Sequence, residues 1–482
     1  MFINNSCMKQ FIKSLRFFIS LIVALTGCKK IIEIAPPKSQ LVTTSVFENA
    51  TTATAAQTAI YSQMEYSDQA LPYCIPLYAG LSSDELTNYS SIPAFIEFYG
   101  NSLNARDNTY VQALWAGMYN LIYQANAIIE GLQTSSSIKG AVKQQLIGEA
   151  KFTRAFLNLN LTNFWGDVPL VAATNYEVNS TLTRSSKSNV LAQVISDLKQ
   201  AAVALNSEYV DGSDTSVSAD RVRPTKWAAT SLLARAYLYS GAFDSAEAQA
   251  TDVIENSSMF SLEADLNNVF LANSKEAIWQ LLPNSSTGYN TVEAANFFLN
   301  DAPSSGVVNC TTLSNTLLSA FEQGDNRRKS WIDSSTDGVK YYYYPFKYKV
   351  TQSSSITEYS MVLRLAEQYL IRAEARAQQD NLTGAAGDLN IIRNRAGLPN
   401  TTATTKSDFL AAILHERQTE FFSEWGHRWF DIVRTGTVNS IMGSPQNVCV
   451  QKGGTWSSDW QLYPIPQVER ENNPQLTQNS GY

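Results

Sequence analysis

The residues with the most obvious chemical potential lie between 415 and 436. His415 and Glu416 begin like the helical H-E-x-x-H zinc site, but the position of the second histidine is occupied by Thr419. The chain has only two histidines, His415 and His427, and five cysteines, which are too few for a zinc cluster. The sequence therefore predicts no metal site and no bound cofactor.

The segment 416–436 also combines arginines, carboxylates and aromatic rings at a density typical of a catalytic site. Paired carboxylates could serve glycoside hydrolysis, but the fold sets their separation, and no Asp or Glu differs from ordinary surface charge. Helical spacing instead favours ion pairs beneath rings that enter the core. The predicted pairs join Arg417, Arg428 and Arg434 to Glu420, Glu424 and Asp431. No Walker P-loop, G-x-G-x-x-G or G-x-S-x-G motif is present, and we predict no catalytic residue.

A basic and then apolar segment opens the chain and leads to Cys28. The apolar run at 17–25 is shorter than the ~20 residues that span a bilayer. It continues into Leu25-Thr26-Gly27-Cys28, which resembles a bacterial lipobox, where the cysteine is acylated and the chain is cut before it. The sequence thus predicts a signal peptide at 1–27 and a lipid anchor on Cys28, and the start codon can be Met1 or Met8. The alternative is a short anchor helix that ends in an ordinary cysteine.

The composition is that of a chain with enough apolar residues for a large core and with a negative net charge. Hydrophobic residues make up 44%, charged residues 16%, and the formal net charge is −7. The absence of a basic run argues against nucleic-acid binding. Beyond the signal, Cys74, Cys310 and Cys449 are predicted to be buried small apolar side chains, and a disulfide among them is left open.

Helical periodicity dominates the rest of the chain, after a predicted tether at 28–43. Two helical hairpins, at 224–255 and 367–396, pair small alanines with large apolar residues in the manner of tetratricopeptide repeats. The segment 71–104 is broken by prolines and glycines and is predicted to be a long loop. We predict a mainly α single domain at 44–482, in which a helical scaffold carries a loop-rich lobe with few short strands. The lobe is inserted at roughly 257–358.

Four segments, the last of them in two parts, resemble the SusD/RagB family of nutrient-binding outer-membrane lipoproteins. They occur in the family's order, and with the lipobox they cover nearly the whole chain. The segments lie at 149–170, which contains Trp165-Gly166-Asp167-Val168-Pro169-Leu170, and at 224–238, 372–398, 416–436 and 462–479. The departures are small: Ser423-Glu424-Trp425-Gly426 stands where the family commonly has Phe-Glu-Gly, and Gln418 stands where it often has a second arginine.

The resemblance implies a fold and a role. The fold is a set of tetratricopeptide-like helix pairs that supports an irregular lobe. The role is capture of a glycan or other nutrient at the cell surface, without hydrolysis, and delivery to a SusC-like TonB-dependent outer-membrane barrel. It also implies a lipid-anchored, surface-exposed location in the outer membrane. Two alternatives remain open at this point, a lipid-anchored protein-interaction scaffold and, with less support, a glycoside hydrolase.

The predicted ligand contacts are aromatic, amide and acidic side chains in the two loop regions. Sugar rings stack their C–H faces on aromatic side chains, and their hydroxyls hydrogen-bond to amides and charged groups. Rings in loops lack the core spacing that explains rings on helices. The alternative is that these rings only hold long loops against the body. The candidates are Asp84, Asn88, Tyr89, Phe95, Tyr99, Tyr289, Asn290, Phe297, Trp331 and Tyr341.

Overall fold

The structure is a computed structural model that describes residues 43–66, 70–284, 288 and 290–482. The predicted signal peptide, Cys28, most of the predicted tether and the candidate Tyr289 lie outside these described residues. Contacts divide the chain into Met1–Val46 and Phe47–Tyr482. The architecture below is that of Phe47–Tyr482.

Helices form most of the described structure and follow one another from the first described residue. The long helices of the scaffold are α2 Ala50–Tyr66, α5 Thr109–Thr134, α6 Gly140–Trp165, α8 Lys187–Ala204, α9 Lys226–Ser240, α10 Phe243–Glu255, α14 Leu365–Gln378, α15 Leu382–Arg395 and α16 Lys406–Glu420. The shorter helices are α1 Thr43–Val46, α3 Leu71–Ser82, α4 Pro93–Gly100, α7 Tyr176–Asn179, α11 Val292–Phe297, α12 Asn315–Ala320, α13 Asn326–Ser330, α17 His427–Arg434, α18 Val438–Met442, α19 Val448–Gln451 and α20 Gln467–Asn472. Short 3₁₀ turns occur at Leu266–Asn268 and Ser458–Gln461.

The two predicted hairpins are present as α9 with α10 and α14 with α15. Although more than a hundred residues separate them in sequence, α10 packs directly against α14, so the hairpins stack. Alanines at the contact, among them Ala234, Ala246, Ala250 and Ala375, are buried and allow the helices to approach closely. On the other side, α9 packs on α8, α8 on α6 and α6 on α5, which extends the stack into a continuous scaffold.

Within the described residues, six short strands pair in three antiparallel two-stranded sheets. They are β1 Leu86–Asn88, β2 Ala277–Leu281, β3 Thr311–Leu313, β4 Ile332–Thr336, β5 Tyr341–Pro345 and β6 Ser360–Arg364, paired as β1–β3, β2–β6 and β4–β5. The β2–β6 pair is completely buried, and β6 leads directly into α14. The chain between Leu281 and Ser360 therefore leaves and rejoins the scaffold at one place, with β3, β4 and β5 in between.

The prediction of a long loop at 71–104 is wrong over most of its length. The structure forms α3, β1 and α4 in this segment. Pro72 lies in the first turn of α3 and Pro93 at the start of α4, where a backbone N–H has no partner within the helix and its loss costs little. Pro76 lies inside α3, all of whose residues are buried. Pro72 and Pro93 therefore begin helices, and α3 continues through Pro76.

The segment 416–436 enters the core as predicted, but some predicted ion pairs are wrong. Arg434 contacts Asp431 at 2.8 Å, as helical spacing predicts, whereas Arg417 contacts Asp431 at 2.6 Å from the preceding helix, α16. Arg428 instead pairs with Asp84, at 2.6 Å. The reason is a break between α16 and α17, where Ser423, Trp425 and Gly426 have positive φ angles, so helical spacing does not apply across it.

The three described cysteines are free and buried, which confirms their prediction as core side chains. Among the described helices, none combines the length and apolarity needed to cross a bilayer. In the described part of the chain, no three His, Cys, Asp or Glu side chains converge in a way that could hold a metal ion.

Candidate functional site

Five of the predicted contacts are buried side chains within the described residues. Their exposed fractions lie between 0% and 3%, so this structure gives them no surface for a ligand, contrary to the prediction. They are Asp84, Phe95, Asn290, Phe297 and Trp331. The rings pack on other rings: Phe95 lies 5.0 Å from Tyr110 and Phe297 lies 5.0 Å from Tyr73, measured between centroids.

The buried polar candidates hold segments of the fold together. Asp84 accepts hydrogen bonds of 2.7 and 2.6 Å from the Arg428 guanidinium. Burial raises the pKa of Asp84, but Arg428 outweighs it and leaves this pKa below its usual value. The Asn290 side-chain oxygen accepts from the backbone N–H groups of Thr357 and Glu358, at 2.6 and 3.1 Å. Both side chains thus join distant parts of the chain.

The other described candidates are accessible, and the folding of the lobe brings two of their segments together. Strand β1 pairs with β3, and β3 lies against β5, so the residues after β1 meet the β4–β5 hairpin. The Tyr89 ring packs edge-on against Tyr342 with 5.8 Å between centroids. Asn88 has a local role, because its amide group donates to and accepts from the backbone of Ser90 at 3.0 Å. Tyr89 is therefore held where the residues after β1 contact the β4–β5 hairpin.

The β4–β5 hairpin provides the residues that contact Tyr89. Asp337 begins its turn, since its Oδ1 accepts from the backbone N–H groups of Val339 and Lys340 at 2.8 and 2.9 Å. Gly338 has a φ of 85°, a conformation that glycine adopts without strain. Because side chains alternate along a strand, Tyr342 points inward towards Tyr89, while Tyr341 lies on the other face and is 68% exposed.

Lys340 lies between the two tyrosine rings. Its Nζ donates to the Tyr89 hydroxyl at 3.5 Å and lies 5.2 and 4.7 Å from the centroids of Tyr89 and Tyr342. The hydrogen bond to Tyr89 is the main cause that raises the pKa of Lys340. The Tyr342 hydroxyl donates to Asp337 Oδ2 at 2.7 Å and, with backbone N–H groups, lowers the pKa of Asp337 to about 2. A fixed cation and a fixed anion therefore flank the rings at neutral pH.

We call this region the Tyr89–Lys340 surface, formed by Tyr89, Tyr99, Asp337 and Lys340 and supported by the buried Tyr342 ring. Tyr99 joins it because its side chain hydrogen-bonds to Thr87 of β1 and interacts electrostatically with Tyr89. Tyr341, on the other face of the same hairpin, does not belong to it. The surface offers aromatic faces, hydroxyls, an ammonium and a carboxylate within a few ångströms, which is the set of groups that binds hydroxylated rings.

A polar cavity of about 390 Å³ opens beside this surface. Its lining includes Phe298, Asn300, Asp301 and Gln352. Phe298 belongs to the same hydrophobic cluster as Tyr89 and lies 5.1 Å from Tyr344 between ring centroids. Amide and carboxylate groups therefore extend the surface along the lobe.

Sequence reasoning missed Asp337 and Lys340. The available signal was Asp337-Gly338 before a run of tyrosines, since an Asp-Gly pair before a strand indicates a hairpin turn. It did not show which distant ring the turn would meet. The sequence did not indicate that the polar residues of the cavity belong to a site, because isolated Asn, Asp and Gln in irregular segments are typical of any solvated loop.

The described core also contains acidic groups with strongly raised pKa values. Burial raises the pKa of Glu293 to about 7 and that of Glu85 to about 8. Burial, followed by the neighbouring Glu293, raises the pKa of Glu65 well above its usual value. Glu65 and Glu293 share contacts with the Ser360 hydroxyl, at 3.0 and 2.7 Å. All three are at most 5% exposed, which keeps them from any polysaccharide.

Two family models match the chain. One, described as the SusD family, matches residues 327–482, and the other, described as starch-binding associating with the outer membrane, matches residues 33–238. Together they cover about three quarters of the sequence. Tyr89 and Tyr99 fall within one matched segment, and Asp337, Lys340 and Tyr342 fall within the other.

Curated relatives agree with these models. A SusD-like protein of Bacteroides ovatus is 26% identical over 432 residues, which cover 79% of this chain and 74% of that protein. The starch-binding protein SusD of Bacteroides thetaiotaomicron is 34% identical over 168 residues, or 33% of this chain and 29% of that protein.

Solved structures show the same fold. A SusD superfamily protein from Bacteroides vulgatus matches with a TM-score of 0.77 and 21% identity over 90% of this chain and all of that one. A laminarin-binding SusD-like protein matches with a TM-score of 0.72 and 21% identity over 90% and 99%. Surface glycan-binding protein A from Bacteroides uniformis matches with a TM-score of 0.73 and 20% identity over 89% and 98%. The predicted mainly α fold is confirmed.

Proposed function

We propose that this chain, which belongs to the SusD/RagB family, binds a carbohydrate at the bacterial outer membrane through its Tyr89–Lys340 surface. The main support for the proposal is the contact between Tyr89 and Lys340 on an accessible part of the lobe. The two residues are 251 positions apart in the sequence. Their hydroxyl, ring and ammonium groups need no ligand to take up this arrangement. A preformed surface loses little entropy when a ligand binds.

The names of several relatives support the choice of ligand class. One is called starch-binding, one laminarin-binding and one surface glycan-binding. Starch and laminarin are both polymers of neutral hexose rings, whose C–H faces suit tyrosine and whose hydroxyls suit the charged pair Asp337 and Lys340. We infer a glycan ligand for this chain on the same chemistry.

We further propose that the chain binds without hydrolysing. Glycoside hydrolysis needs a protonated acid and a second carboxylate on either side of an accessible bond. Of the carboxyl groups whose raised pKa values would suit an acid, Glu65, Glu85 and Glu293 are buried in the core. The part-buried Glu469 lines a depression on the scaffold whose lining holds no second Asp or Glu. At the Tyr89–Lys340 surface, Asp337 has a lowered pKa and stays ionised, so it cannot act as the proton donor.

Replacing Tyr89 by alanine is expected to weaken glycan binding by about ten- to a hundredfold, because a stacked ring contributes about 1–3 kcal/mol. The change also removes the hydroxyl that holds Lys340. Affinity can be measured by calorimetry with the purified chain and a panel of oligosaccharides that includes maltoheptaose and laminarihexaose.

The matched control is Tyr123→Ala, which removes a ring that is 50% exposed on scaffold helix α5. It should leave affinity unchanged. Equal affinity for the wild type and the Tyr89 variant would contradict the placement of the site. Release of shorter sugars during the titration would contradict binding without hydrolysis.

We propose that Cys28 carries the lipid anchor and that the bound glycan passes to a SusC-like TonB-dependent barrel. A surface-tethered binder cannot move a nutrient inward by itself, so a spanning partner is needed. After fractionation of cells, the wild-type chain should sediment with outer membranes and co-purify with a large β-barrel in mild detergent. Cys28→Ala should move the chain to the soluble fraction, because the acyl chains that hold it are lost.

Cys449→Ala provides the control for this fractionation, since it removes a buried thiol that lies outside the predicted lipobox sequence. It should not change the membrane fraction. A Cys28 variant that still sediments with membranes would contradict the anchor. Recovery of the wild-type chain alone in several detergents would contradict the barrel partner.

A further inference from the structure

A second cavity, of about 500 Å³, lies on the helical scaffold and is lined by none of the residues discussed so far as ligand contacts. It is enclosed by α5, the connection after α6, the single-turn helix α7 and the C-terminal segment around α20. This volume is within the range of about 300–1,000 Å³ that small-molecule sites have. The cavity therefore has room for one or two sugar rings.

The floor of this scaffold cavity is the half-buried Tyr119 ring of α5, which packs against the buried Trp115 ring. Trp115 and Tyr119 lie 4.9 Å apart between centroids, with their planes inclined by 48°. The Tyr119 hydroxyl donates to the Pro169 carbonyl at 2.9 Å, and Trp115 packs edge-on against Trp165 at 5.2 Å. These contacts fix both rings before any ligand binds.

A carboxylate completes the floor. Glu469 of α20 lines the cavity and hydrogen-bonds to the Trp115 side chain. Burial raises the pKa of Glu469, which shows that its charge is poorly solvated. A carboxylate has more acceptor sites than one indole N–H can fill, and hydroxyls of a bound ring would supply further donors.

The rim presents one ring and several amides. Tyr176 is 79% exposed, and its side chain makes no hydrogen bond or ring contact with the other residues that the structure describes. Asn179, Asn472 and Asn473 also line the cavity. Asn179 donates to the Ala173 carbonyl at 2.8 Å, which holds the α7 wall to the preceding connection. A ring that is this exposed adds little to the core, and its face is accessible to a ligand in the cavity that it lines.

We propose that the scaffold cavity is a second carbohydrate site, which binds a neutral hexopyranose unit between Tyr176 and the Tyr119 floor, with Trp115 holding Tyr119 and Glu469 in place. Its lining contains one charged side chain, Glu469, so it favours neutral sugars over uronic acids and sulfated sugars. The choice of ligand class rests on the proposed function. The site itself rests on different residues and is independent of the Tyr89–Lys340 surface.

Calorimetric stoichiometry tests this proposal on the full chain without its lipid. The probes are maltoheptaose, laminarihexaose, cellohexaose, xylohexaose and mannohexaose. The wild type should bind two molecules of at least one neutral probe. Tyr176→Ala and Glu469→Gln should each weaken one of these two binding events by about tenfold or more and leave the other unchanged. Tyr89→Ala should affect only the other event.

Two control variants match the chemistry of the test. Tyr123→Ala removes an exposed tyrosine of α5 outside the cavity, and Glu471→Gln neutralises an exposed acid two residues after Glu469. Both should keep two binding events. Since Tyr176 is exposed, its variant should fold normally, which thermal unfolding can check.

The outcomes separate the two proposals. A single binding event that Tyr89→Ala weakens and the cavity variants leave intact would overturn the second site and preserve the proposed function. A single event that depends on Tyr176 and Glu469 would overturn the Tyr89–Lys340 surface and preserve the scaffold cavity. Binding of no probe in the panel would overturn both.

Discussion

Replacing Glu420 by alanine is expected to lower the free energy of unfolding by about 3–5 kcal/mol, the usual cost of removing one partner from a buried ion pair. Glu420 is completely buried. Its carboxylate accepts from Arg364 at 2.6 Å, from Arg327 at 2.9 Å, and from Arg395. Without it, three buried guanidinium groups lose a common counter-charge.

These contacts explain why Glu420 matters to the whole fold. Arg364 ends β6, Arg327 lies on α13 and Arg395 ends α15, so one carboxylate joins the lobe to the scaffold. Burial raises the pKa of Glu420, but the three arginines outweigh it and hold this pKa well below its usual value of 4.5. Its stabilisation is therefore complete above about pH 4.5 and declines as the pH falls through the lower pKa of the folded state.

Urea unfolding at neutral pH measures the expected loss. The matched control is Glu322→Ala, because Glu322 also pairs with an arginine, Arg393 at 2.7 Å, but its side chain is 40% exposed. An exposed pair contributes about 0–1 kcal/mol, so this variant should remain close to the wild type. Similar losses in the two variants would contradict the role assigned to Glu420.

The helical scaffold could be predicted from the sequence because its signals are local. In α9 and α14, small alanines alternate with large apolar residues at helical spacing, and both features can be read within one helix. Their stacking through α10 could not be predicted, since it depends on contacts across more than a hundred residues. The mistaken loop at 71–104 has a local cause as well. Proline permits a helix start as readily as it ends a helix, and the sequence does not distinguish the two.

The candidate site could be predicted only in part. Tyr89 and Tyr99 were identified as accessible rings, but their neighbours Asp337 and Lys340 were not. The register of β4 with β5, and the packing of β3 on β5, bring these residues together. Both are non-local features. In the sequence, an exposed Asp or Lys in a turn cannot be distinguished from any other charged surface residue. The same limit applies to the scaffold cavity, which α5, α7 and α20 enclose from widely separated positions.

The five buried candidates were misjudged for a different reason. Side chains in irregular segments have no periodicity that separates the inward from the outward face, so an aromatic residue there can be core or surface. Trp331 illustrates the error, since it precedes β4 directly and is completely buried. Its indole N–H donates to the Leu266 carbonyl at 2.9 Å, and its ring meets Phe270 edge-on at 5.6 Å. These contacts place Trp331 in the core of the lobe.

Replacing Trp331 by alanine is therefore expected to lower the free energy of unfolding by about 3–5 kcal/mol, through a cavity and an unpaired carbonyl. The ring also supports Lys347, whose Nζ lies 4.9 Å from its centroid and contacts the backbone carbonyl of Glu420 at 2.8 Å. The loss should thus spread to the ion cluster around Glu420. Urea unfolding measures it, and calorimetry below the transition measures any effect on glycan binding.

Two further variants separate a core role from ligand contact. Trp331→Phe keeps most of the apolar volume and should cost less than the alanine change, while Tyr341→Ala removes a ring that is 68% exposed and should change stability by no more than about 0.5 kcal/mol. If Trp331 belonged to a binding surface, its alanine variant would unfold like the wild type and lose affinity. Because the indole is surrounded by protein on all sides, we expect the opposite result, a large loss of stability. In the fraction of Trp331→Ala that remains folded, affinity at the Tyr89–Lys340 surface should be unchanged.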